Sequence, residues 1–115
     1  MTHQAPPAPA PSGTDPGRQV AQLREALRLV DRIAGRQGGG ADAALDEAAR
    51  VSSAYHRALP IVQRRFDALA AETAIWVAAG VEALIAAGET APGAAAVRLA
   101  ESIESSLREL ADLLA

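Results

Sequence analysis

Residues 41–88 read ADAALDEAARVSSAYHRALPIVQRRFDALAAETAIWVAAGVEALIAAG, and the fold turns on how this stretch is taken. Steps of three and four from Leu45 land on Ala48, Ser52, Tyr55, Leu59, Val62, Phe66, Leu69, Thr73 and Trp76. That is a heptad seam, and it holds the single Tyr, Phe and Trp of the chain. Past Trp76 the apolar side widens to include Ile75, Val77, Val81, Leu84 and Ile85, so the second half asks for burial on more than one side. Pro60 interrupts the stretch. A proline there removes the hydrogen bond to the His56 carbonyl and crowds that turn, so the helix must kink or break. Its neighbours carry no turn residues and the heptad passes through without a phase change, which favours one long kinked helix over 42–87. A break would make four helices instead.

Working outward, Thr14 or Asp15 can cap a first helix, with Pro16 preset for its first turn. Its apolar stripe is Val20, Leu23, Leu27, Val30 and Ala34, and Gly35 or the run Gly38-Gly39-Gly40 ends it near residue 36. Asp42 is a candidate cap for the central helix and Gly88 its stop. Thr90 is a candidate cap for a last helix over 92–114, whose stripe is Ala96, Ala100, Ile103, Leu107, Leu110 and Leu114. Glu104 and Arg108 are spaced as a helix-surface pair. At about 1.5 Å per residue the central helix would reach roughly 70 Å and its neighbours about 30 and 35 Å. The expectation is an all-α single domain over 18–115 made of antiparallel helical hairpins. The first helix would dock before Pro60 and the last after it. Residues 1–17 hold five of the seven prolines and read as a disordered tail.

At 115 residues with a formal charge of −3, the chain is one modest domain without the positive excess that non-specific nucleic-acid binding needs. All eleven basic residues are Arg. With no Cys, thiolate zinc sites, iron–sulfur clusters and thiol nucleophiles are excluded. No secretory signal pattern opens the sequence. The most apolar window, 74–87, falls short of a membrane span and contains Glu82. A cytoplasmic location is the default expectation.

The candidates for chemistry are few. Metal binding through His56 would need another ligand a turn away, but Ser52, Ser53, Leu59 and Pro60 stand there, so neither metal nor cofactor is expected. The run Tyr55-His56-Arg57-Ala58-Leu59-Pro60 resembles the phosphoacceptor box of histidine-kinase dimerisation helices, which implies a phosphotransfer role with His56 as acceptor. It departs from that box twice: Arg57 replaces the acid after the histidine, and Pro60 comes one residue early. Arg24, Arg28, Arg32 and Arg36 form a basic stripe on the first helix, which could meet an anionic surface such as nucleic acid or could be a solvated face.

The reading that accommodates most of the chain is a small non-catalytic protein that works through protein contacts. Its partner would be a second copy or another helical protein. A second stripe on the central helix carries this: Ile61, Arg65, Ala68, Glu72 and Ile75 lie away from the seam. A two-fold axis at Ala68 would set Ile61 against Ile75 and Arg65 near Glu72 of an antiparallel homodimer.

Overall fold

The computed structural model describes residues 15–36, 41–88 and 93–115, with side chains from residue 46 onward in the second segment. Among these residues it contains four helices: α1 (Pro16–Ala34), α2 (Ala41–Arg57), α3 (Pro60–Ala87) and α4 (Gly93–Leu113). The all-α expectation holds. The kinked central rod does not; the four-helix alternative is the one found, because α2 and α3 are separate helices broken at Pro60.

The reason lies at Leu59. A residue before proline is driven out of the helical region by the proline ring, and Leu59 adopts φ −66° and ψ 150°. Pro60 then takes the first position of α3, where its missing N–H costs nothing. The Ala58 amide turns back to the Tyr55 carbonyl at 3.0 Å, and the Gln63 side chain donates to the same oxygen at 2.8 Å. Leu59, which the heptad placed in the seam, is therefore 69 % exposed at a corner.

Helix α1 follows its local signals closely. Asp15 accepts from the amides of Gly17 and Arg18 at 3.1 and 3.3 Å, and Pro16 and Gly17 are buried inside the helix rather than ending a tail. Gly35 closes it at φ 76°. The Gly35 amide donates to Arg32 O at 3.2 Å and the Arg36 amide to Asp31 O at 2.7 Å, the paired bonds of a left-handed glycine cap. At the far end of α3, Gly88 at φ 57° donates to the carbonyls of Leu84 and Ile85. The expected caps at Thr14 and Thr90 lie outside the described residues, as do residues 1–14 of the tail, and the Asp42 side chain is not among those described.

The core is built from Val20, Leu23, Leu27 and Val30 of α1, Phe66, Ala70, Val77 and Leu84 of α3, and Ala96, Ala100, Ile103, Leu107 and Leu110 of α4. Val51 and Tyr55 of α2 pack against its edge. Helix α1 lies most extensively on α4 and α2 and also touches α3, while α4 covers α3. This corrects the expectation that α1 and the last helix would dock on separate halves of a rod. The break at Pro60 frees α3 to turn away from α2, so α1 and α4 can share one core. The molecule measures 57 × 37 × 25 Å. Its thickness is about two helix diameters, so α3 keeps a face that none of the other described helices covers.

Candidate interaction surface

Two charged systems tie the bundle together. Arg24 grips Glu47 with two bonds of 2.8 and 2.7 Å, joining α1 to α2. Arg36 reaches Glu104 of α4 at 3.0 Å and stands 3.5 Å from the buried Asp31 carboxylate. Hydrogen bonding to Glu47 and to Glu104 raises the pKa of the Arg24 and Arg36 guanidiniums above the ordinary arginine value. Arg28 pairs with Glu25 at 3.0 Å, and Arg32 is exposed. Three of the four guanidiniums of the basic stripe are thus matched by carboxylates of the same chain, which reduces the positive excess on this face. Glu104 turns to Arg36 rather than to Arg108, so the expected surface pair on α4 is replaced by a bond from α4 to the residue just past the cap of α1.

His56 stands exposed in the last turn of α2, edge-on to Tyr55 with ring centroids 5.6 Å apart. Tyr55 also meets Phe66 edge-on at 5.6 Å, and its hydroxyl lies 3.0 Å from each oxygen of Asp67. Burial, followed by the bond to Asp67, pushes the phenol pKa above its ordinary value of 10.0. The aromatic seam residues here are packing and corner residues. Trp76, expected in the seam, is half-buried. Among the described residues no group of three or more His, Cys, Asp or Glu side chains stands close enough to hold a metal ion.

The surface that distinguishes this molecule is the outer side of α3. Ile61, Ile75 and Ile85 are 49 %, 72 % and 62 % exposed. Arg65, Ala68 and Glu72, the remaining members of the stripe read from the sequence, are exposed as well. Ile85 was expected to seek burial with the widening apolar side, yet neither α1 nor α4 reaches it. Beside this face an apolar groove of about 610 Å³ runs between α1 and α3, floored by Leu23, Ala26, Ala70, Ala74, Val77 and Val81. At 28 residues α3 is long and apolar enough to cross a membrane by length and composition, which corrects the shorter window read from the sequence. Only 22 % of its most apolar window is buried within the chain.

No protein family, curated protein or solved structure matches the chain.

Proposed function

We propose that this protein is a small, non-catalytic helical interaction module that self-associates, with the outer face of α3 as its contact surface. The observation that carries this reading is the exposure of Ile61, Ile75 and Ile85 along one helix whose opposite side is core. Single exposed apolar residues are ordinary on protein surfaces, but three large ones on the uncovered side of one helix, with alanines between them, are the kind of feature that marks interaction sites. A second copy offers the same patch, so a two-fold contact needs no further component.

Light scattering at micromolar concentration tests the reading. The expected result is twice the chain mass of 11.8 kDa, falling to the monomer value in Ala68→Arg with helicity retained. A monodisperse wild-type monomer would overturn it.

A further inference from the structure

The exposed positions of α3 carry a pattern that specifies how two copies would meet. Residues 61, 64, 68, 71, 75, 78, 82 and 85 are all exposed, and they alternate steps of three and four, the spacing of a coiled-coil contact line. This line gathers the three exposed isoleucines of the helix, whereas the stripe centred on Ala68 leaves Ile85 in water. Read in either direction from the level of Thr73, the line is complementary to itself.

We infer that two copies pack antiparallel along this line, about a two-fold axis level with Thr73. Ile61 of one copy then meets Ile85 of the other at each end of the contact. One layer inward Arg64 faces Glu82, an oppositely charged pair that occurs twice by symmetry. Ala68 faces Ala78 and Ala71 faces Ile75 nearest the axis, where small side chains let the helices approach closely. The contact spans about 36 Å of helix. Glu72 meets its counterpart only at the solvent side of the axis, where water weakens the repulsion.

The inference rests on the self-association reading and adds its register. Three features favour a second copy over lipid or an unrelated helix. Arg64 and Glu82 interrupt the apolar line at positions where a bilayer would penalise charge, whereas the antiparallel copy pairs each with its opposite. Ile61 and Ile85 sit at matching distances from the axis. Ala71, Ala78 and Glu82 also line the groove between α1 and α3, so a helix laid on the line closes the edge of that groove in both copies.

The absence of cysteine from the chain permits a direct test. Equimolar Ala68→Cys and Ala78→Cys chains, mixed and oxidised, should yield the mixed disulfide as the main product. Ala68→Cys alone should remain uncrosslinked, because in this register its two copies stand about 15 Å apart along the helix. Glu82→Arg should weaken dimerisation about tenfold by placing like charges together twice, and adding Arg64→Glu should restore it. A dimer that crosslinks through Ala68→Cys alone, or that ignores the charge reversal, overturns the register and leaves self-association standing. A wild-type monomer overturns both, and its co-sedimentation with phosphatidylcholine vesicles would assign the face to lipid.

Discussion

The Tyr55 hydroxyl stands 3.0 Å from both carboxylate oxygens of Asp67, joining the last turn of α2 to α3 across the break at Pro60. The neutral phenol donates this bond, and its ionised form would face a carboxylate at the same distance. Tyr55→Phe should therefore cost about 1 kcal/mol, the usual net worth of such a bond. The phenol ionises at higher pH in the folded chain than near its ordinary 10.0. Its contribution is complete below that value and is lost as pH rises through the folded pKa. As Tyr55 is the only tyrosine, absorbance at the phenolate band reports its titration alone. Denaturant melts of Tyr55→Phe should lose the corresponding alkaline decline.

Close approach of helices sets a second expectation. A Cβ placed on Gly17 would lie 2.5 Å from the Ala48 carbonyl oxygen, a backbone atom that cannot move without shifting α2. On Gly80 it would meet the Leu99 side chain at 2.9 and 3.0 Å, which can turn aside. Gly17→Ala should cost about 1–3 kcal/mol. Gly80→Ala should be nearly neutral, since the gain in helix propensity of about 1 kcal/mol offsets the repacking. Thermal melts of the two variants should separate them clearly.

Thr73 is fully buried in α3 and its hydroxyl has no hydrogen-bond partner. Thr73→Val keeps the shape and removes a desolvated polar group, so it should stabilise the fold by about 1 kcal/mol. Urea denaturation measures this; a loss of stability would show that the hydroxyl is satisfied.

These positions differ in how far the sequence disclosed them. Asp15, Pro16 and Gly35 act within their own turn, so the limits of α1 were legible from neighbours alone. Pro60 was equally visible, but the apolar periodicity continuing through Leu59 pointed to a kink. What decides for a break is the conformation that proline imposes on Leu59, together with the bonds gathered on the Tyr55 carbonyl. The exposed side of α3 was legible at Ile61 and Ile75. Ile85 was not, because only the placement of α1 and α4 determines which side of an all-round apolar helix stays uncovered. The bond between Arg36 and Glu104 joins residues 68 positions apart, and no local pattern could announce it.

Asp31 is the one buried acid among the described residues, and it lies in the last turn of α1, where the helix dipole already opposes negative charge. Its counter-charge is Arg36, which stands just past the Gly35 cap with Nε 3.5 Å from Asp31 Oδ1 and also holds Glu104 at 3.0 Å. Removing the arginine would strand one carboxylate in the interior and leave the other half-exposed at the surface, and a stranded buried charge is far costlier than an exposed one. Arg36→Ala should therefore destabilise the fold more than Glu104→Ala does. Asp31→Asn should recover most of the loss in the Arg36→Ala background while having a smaller effect alone. A double-mutant cycle in urea measures this coupling. Equal losses from Arg36→Ala and Glu104→Ala, with no recovery by Asp31→Asn, would show that the arginine serves only the bridge to α4.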